Sequence, residues 1–108
     1  MAWEPISEAE MSELFEAELP TLDAATRATL DRYGVPLQRL FRIFQFGPGE
    51  PDPVYVVARD GAHVLFYDDT EEEWGTATLD ADGVMRDWGT YGKLLWALRQ
   101  FPVPRALS

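Results

Sequence analysis

Two apolar, β-branched and aromatic runs, Val54-Tyr55-Val56-Val57-Ala58-Arg59 and Ala62-His63-Val64-Leu65-Phe66-Tyr67, are separated by the dipeptide Asp60-Gly61. Asp-Gly between such runs signals a tight β-hairpin, because a type I′ turn needs positive φ at both central residues and matches the twist of the strands. A two-residue turn there sets the register, with Ala58 opposite His63 and Val56 opposite Leu65. One face of the hairpin then carries Val54, Val56, Ala58, His63, Leu65 and Tyr67. The other carries Tyr55, Val57, Arg59, Ala62, Val64 and Phe66. Both faces are largely apolar, so the hairpin belongs in the middle of a sheet covered on both sides. Helices can cover one face; the other calls for further chain or a partner subunit.

The flanking segments supply those helices. Ser7-Glu8-Ala9-Glu10 has the spacing of a capping box, in which the Ser7 hydroxyl and the Glu10 carboxylate each satisfy a backbone N–H of the first turn. Ile6 and Met11 fall at the positions of a hydrophobic staple. The spacing predicts a helix from about Ser7 to Leu19 with Met11, Leu14, Phe15 and Leu19 inward, ended by Pro20. Thr21 or Asp23 can cap a second helix from Ala24 to about Tyr33, with Leu22, Ala25, Leu30 and Tyr33 inward and Gly34 as a left-handed cap. The short linker implies an antiparallel helix pair. Leu40 to Phe46 reads as a strand, and Gly47-Pro48-Gly49-Glu50-Pro51-Asp52-Pro53 as a loop. A second hairpin joins Trp74–Leu79 to Val84–Trp88 through Asp80-Ala81-Asp82-Gly83. Tyr91 to Phe101, with Thr90 as cap and Leu94, Leu95, Leu98 and Phe101 inward, reads as a closing helix that Pro102 and Pro104 prevent from extending. The expected fold is α+β: two N-terminal helices, an antiparallel meander sheet of four to five strands, and a C-terminal helix, in one domain spanning residues 1–108.

Composition narrows the function. Cysteine is absent, which removes disulfides, iron–sulfur clusters and thiol chemistry. The start of the chain shows no signal-peptide pattern and no apolar run approaches the roughly 20 residues needed to span a bilayer, so the expectation is a soluble cytoplasmic protein. Net charge is −10. Residues 1–34 hold eight acids against two Arg, residues 35–67 balance, residues 68–92 hold eight acids against Arg86 alone, and the tail from Lys93 is basic. Nucleic-acid binding needs a basic stripe, and none is present; anionic membranes are disfavoured on the same ground. A basic protein partner would be attracted, although a negative surface is also explained by solubility alone.

Chemistry-bearing constellations are few. His63 is the single histidine, and the serines are Ser7, Ser12 and Ser108. A nucleophilic triad would have to bring Ser12 to His63, and His/Cys zinc sites fail on ligand count. Mid-strand, His63 reads as a core or sheet-edge histidine, although a pH-sensing role stays open. Gly47-Pro48-Gly49 lacks the Lys-Ser/Thr of a phosphate-binding loop. The run Asp68-Asp69-Thr70-Glu71-Glu72-Glu73 is the main candidate site. It can be a solvated turn, a Ca²⁺ or Mg²⁺ site, or a pair of catalytic carboxylates drawn from Asp68, Glu73 and Asp87. Asp80-Ala81-Asp82-Gly83 looks like part of a calcium loop without its later ligands. No metal or other cofactor is expected. Trp74, Trp88 and Trp96 are most simply core residues; exposed, they would be binding anchors.

In its order of elements the chain resembles the SUKH immunity-protein superfamily. The resemblance rests on Leu19-Pro20 after the first helix, Tyr33-Gly34 ending the second, the Asp60-Gly61 hairpin, Tyr67-Asp68 opening an acidic loop, and Trp88-Gly89-Thr90-Tyr91 before the last helix. It implies a non-catalytic protein that neutralises a toxin, often a nuclease, by docking on it. On that implication the contact surface is Asp68, Asp69, Glu71, Glu72 and Glu73, with carboxylates facing a basic partner. A small carboxylate-based enzyme or metal-binding protein, and a homodimer closing over the second sheet face, are the alternatives.

Overall fold

The computed structural model describes residues 6–42, 52–69, 71–83 and 85–102. Helix α1 (Glu8–Glu18) starts at Ser7 with both halves of the capping box formed. A 3₁₀ turn, Leu19–Thr21, follows, and helix α2 (Ala24–Tyr33) is capped by Asp23, whose Oδ1 accepts from Thr26 N at 2.8 Å. Five antiparallel strands form a meander in chain order: β1 (Gly34–Arg42), β2 (Asp52–Asp60), β3 (His63–Asp68), β4 (Glu73–Leu79) and β5 (Met85–Gly92). Helix α3 (Leu94–Arg99) closes the fold. The expected α+β architecture is therefore present. The segment 43–46, expected as strand, and most of the Gly47–Pro53 loop lie outside the described residues.

The central hairpin forms with a different register. Asp60 pairs with His63 and Ala58 with Leu65, so the turn residues are Gly61 and Ala62 rather than Asp60 and Gly61. Gly61 has φ +60, and neither Asp60 nor Ala62 has a positive φ. Glycine first with one positive φ is the type II′ pattern, and it spares Asp60 a left-handed conformation costing about 1–2 kcal/mol. A bulge between Val56 and Ala58 shifts the register once more. In consequence Leu65 and Tyr67 share a face with Tyr55 and Val57, while Val64 and Phe66 share one with Val54 and Val56.

Each face carries its own core. On the first, Tyr55, Val57, Ala58, Leu65, Tyr67 and Trp74 meet Met11, Leu30, Leu94, Ala97, Leu98 and Phe101 from the helices. Met11 is fully buried there, and a buried side chain of that size contributes about 1.5–3 kcal/mol toward holding α1 on the sheet. On the second face, Val54, Val56, Val64, Phe66, Ala77 and Met85 cluster, with Val35 and Leu79 packed against them. Val54, Val56, Val64 and Phe66 have no exposed surface in the single chain. A partner subunit is not needed to bury that face.

Other elements differ from expectation for identifiable reasons. Gly34 does not cap α2 in the left-handed region; at φ −58 and ψ 137 it passes directly into β1. Glycine is required there by space, since a Cβ would stand 2.7 Å from the Leu30 carbonyl oxygen. Strand β1 begins six residues before Leu40 because Pro36, which has no N–H to give a ladder, is tolerated on an edge strand beside a bulge. Within α2, Ala25 is exposed and Thr26 is buried, its hydroxyl bonded to Asp23. That helix packs on α3, through Tyr33 against Phe101 and Asp23 to Arg99, rather than as a close antiparallel pair with α1. Trp88-Gly89-Thr90-Tyr91 continues β5, with Thr90 opposite Gly75, and α3 starts only after Lys93. No helix among the described residues is long and apolar enough to cross a membrane.

Candidate functional site

The acidic run after Tyr67 splits into two parts with different uses. Asp68, the last residue of β3, is fully buried, and its Oδ1 accepts from Glu71 N at 3.3 Å. Asp69 is half-buried, and its Oδ2 accepts from Ile6 N at 2.8 Å. The Tyr55 hydroxyl donates to Ile6 O at 2.8 Å, so the peptide groups of Ile6 are tied to the sheet at both ends just before α1. These two aspartates build the turn and anchor the helix; Asp68 has no surface to offer a partner. Glu71 and Glu72 are exposed and Glu73 is half-buried, opening β4 opposite Asp68. Glu72 has φ +55, the left-handed region that favours glycine.

Glu71, Glu72 and Glu73 border an open cleft of about 370 Å³, whose other walls are Leu14 and Glu18 of α1, Tyr67 of β3, Trp74 of β4, and Gly92-Lys93. Trp74 is 1% exposed, and its ring packs against Phe15 and Tyr67 with centroids 6.0 and 5.0 Å apart. Its indole N–H has no hydrogen-bond partner among the described residues. A buried donor left without an acceptor costs about 1–3 kcal/mol. The Tyr67 phenol is pushed up to about 12, first by burial and then by the negative charges of Glu72, Asp69, Asp68 and Glu18. Its hydroxyl therefore stays a neutral donor throughout the physiological range.

Charge in this cleft is unbalanced. Three aspartates outside it are each paired with an arginine: Asp23 with Arg99 at 3.2 Å, Asp31 with Arg27 at 3.3 Å, and Asp80 with Arg86 at 3.0 Å. Hydrogen bonds from the Thr26 backbone and hydroxyl, with Arg99 beside them, hold the Asp23 carboxyl below the usual aspartate range. By contrast, Glu18, Glu71, Glu72 and Glu73 form no ion pair among the described residues. Lys93 borders the same cleft yet pairs with none of them; its ammonium stands 5.5 Å from the Trp96 ring centroid, within cation–π range.

The tryptophans divide. Trp74 is core, as expected, but Trp88 and Trp96 are 42% and 49% exposed. Trp96 lies over Gly92, where a Cβ would stand 3.3 Å from its ring, so this exposed indole adjoins the Gly92-Lys93 wall of the cleft. Tyr91, 40% exposed, reaches over Gly89 on the neighbouring stretch of β5. Helical spacing in Leu94-Leu95-Trp96-Ala97-Leu98 could not separate the inner from the outer residues, because every position is apolar. Glu18 and Lys93 were not foreseen as site residues, and Trp96 was read as a binding anchor only if exposed; none has a local sequence signal that places it here, and only tertiary packing brings them to the acidic turn.

The remaining candidates have structural partners. His63 opens β3 half-buried with its Nδ1 3.3 Å from Thr78 Oγ1, and does not meet Ser12. Asp80 accepts from Asp82 N at 2.9 Å and from Arg86 Nε, closing its own turn. No group of three or more His, Asp or Glu side chains among the described residues is arranged to hold a metal ion. The side chain of Asp87 lies outside the described residues. No protein-family model matches the chain, and neither does a curated protein or a solved structure.

Proposed function

We propose that this chain is a non-catalytic, acidic protein-binding module that docks a basic protein through Glu71, Glu72 and Glu73 and the cleft they border. The observation that carries the reading is the unpaired state of the cleft carboxylates. Acids at α2 and at the β4–β5 turn are neutralised by arginine, whereas four glutamates face one cleft without an ion pair among the described residues. Such a field steers a cationic partner and disfavours anionic ones. Trp96, exposed beside the cleft, supplies the aromatic anchor that protein interfaces favour. The immunity-type role implied by the resemblance, neutralisation of a basic toxin or nuclease, is the specific form this docking would take.

The test pairs the wild-type chain with Glu71→Lys/Glu72→Lys as bait in low-salt capture. A basic protein held by the wild type, released by salt and absent from the charge-reversed bait supports the reading. Equal capture by both baits, or retention that salt does not weaken, overturns it.

A further inference from the structure

The three helices are held on the sheet unequally. Helix α3 buries three of its six residues, Leu94, Ala97 and Leu98. Helix α2 buries Thr26 and Leu30 and is tied to α3 through Tyr33 with Phe101 and Asp23 with Arg99. Helix α1 buries Met11 alone of its eleven residues. Leu14 and Phe15 are half-buried, and open space runs along both flanks of the helix. One flank is the cleft of about 370 Å³ beside Leu14 and Glu18; the other is a groove of about 220 Å³ between Phe15 and the sheet residues Val35, Leu37 and Val57. The remaining firm attachments lie just before the helix, where Ile6 N donates to Asp69 Oδ2 and Ile6 O accepts from the Tyr55 hydroxyl, both at 2.8 Å. Charge opposes the attachment. Helix α1 carries Glu8, Glu10, Glu13, Glu16 and Glu18 and no basic residue. Glu8 and Glu10 suit the positive end of the helix dipole, but Glu16 and Glu18 stand at its negative end. Glu18 also borders the cleft with Glu71, Glu72 and Glu73, so docking gathers like charge with no ion pair to offset it among the described residues.

We propose that α1 is a releasable strap: it undocks from the sheet as a unit, turning about the Leu19–Thr21 3₁₀ segment, and ionic strength sets how often it does so. A helix of eleven residues is marginal in water by itself, so α1 frays once it leaves the sheet and its backbone amides report the opening. Lifting it parts the Phe15 and Trp74 rings, whose centroids are 6.0 Å apart, and breaks the Tyr55 bond to Ile6. Trp74 and Tyr55 are the two largest fully buried side chains among the described residues, so the open state bares aromatic surface that the closed state hides. Salt screens the repulsion among Glu16, Glu18 and the Glu71–Glu73 turn and leaves the apolar contacts in place, so added salt closes the strap. The device needs no partner, and its test is separate from that of the docking reading.

The test is native-state hydrogen exchange on the ¹⁵N-labelled full chain, at about 0.01 M and at about 1 M sodium chloride, which shortens the screening length from about 30 Å to about 3 Å. At low salt the amides from Met11 to Glu18 are expected to exchange through one common opening. That opening should occur roughly tenfold or more often than the one that frees the β2 and β3 amides, and should depend less on urea. Protection in α1 equal to that in β2 and β3 would overturn the strap. High salt should lower the α1 opening roughly three- to tenfold, the sum of a few like-charge pairs. Glu16→Gln/Glu18→Gln changes side chains that are exposed or half-buried. At low salt it should show the reduced opening that salt gives the wild type, and it should respond less to further salt. Opening of the wild-type α1 that salt leaves unchanged or increases would overturn the gating, as would an undiminished salt response in the variant.

Discussion

The β3–β4 and β4–β5 turns are both acidic links at the ends of hairpins, but their carboxylates do different things. In the β4–β5 turn, Asp80 bonds Asp82 N and Arg86, Gly83 takes the positive φ of +79, and the charge is absorbed locally. In the β3–β4 turn, Asp68 and Asp69 serve the fold, while Glu71, Glu72 and Glu73 pair with no arginine among the described residues, and a glutamate rather than a glycine sits at φ +55. Acid content alone does not distinguish the two turns. What does is whether a basic side chain pairs with the carboxylates, and whether the conformationally demanding position is given to the residue that fits it.

The largest expected effect lies in the buried half of the β3–β4 turn. Asp68→Ala should destabilise the chain by about 2–3 kcal/mol, since it removes a buried charged acceptor and leaves the Glu71 N–H unmet. A urea midpoint unchanged within error would show that Asp68 is as dispensable as a surface acid. Tyr67 gives the second measure of the same region. Its folded pKa is raised from 10.0 to about 12, so its contribution to stability is complete below pH 10.0 and is lost as pH rises toward 12. In tyrosinate absorbance, Tyr67 should ionise late. Tyr67→Phe should remove amplitude from the late part of the curve and flatten the alkaline fall in stability; loss of amplitude near pH 10 instead would contradict the acidic, buried setting.

The first two helices, their N-caps and the sheet order were legible because each rests on local chemistry, whereas the Gly34 cap and the Thr90 start of the last helix were misread. Ser7 with Glu10, and Asp23 with Thr26, are contacts across three residues. The hairpin register was not, because Asp-Gly is compatible with two turns, and the choice fell to the one that keeps Asp60 out of the left-handed region. The start of β1 was hidden by Pro36, and the end of β5 by the aromatic Trp88–Tyr91 run leading into a helix. At the site, the acidic turn was visible from composition. Its division into buried Asp68, tethering Asp69 and outward glutamates depends on Ile6, 63 residues away along the chain from Asp69. Glu18, Lys93 and Trp96 join it only through tertiary packing.

Replacing the strained residue tests the other half of the contrast. Glu72→Gly should raise stability by up to about 1 kcal/mol, the relief of a left-handed side chain less the extra chain entropy of glycine. If the cleft docks a basic protein, the same variant should bind it more weakly, so stability and affinity would move in opposite directions. Lower stability would mean that the Glu72 side chain supports the turn. Asp80→Ala, at the turn that closes on itself, should cost about 1 kcal/mol, because Asp80 is half-buried and loses its bond from Asp82 N as well as its pair with the exposed Arg86. A loss matching that of Asp68→Ala would erase the distinction between the two turns.

The smallest expected effect on stability decides most about function. Glu71→Lys/Glu72→Lys changes the charge of the cleft rim by four units, yet neither side chain is in an ion pair among the described residues, and both are exposed. Its urea midpoint should therefore correspond to a change within about 0.5 kcal/mol, and removing like charges beside Glu18 and Glu73 should push it toward stabilisation. Side chains that do nothing measurable for the fold, yet concentrate unpaired charge around a cleft with an exposed indole at its edge, are available to act on something outside the chain. Marked destabilisation by the reversal would assign the glutamates to the fold instead, and the difference between the two turns would then be one of architecture alone.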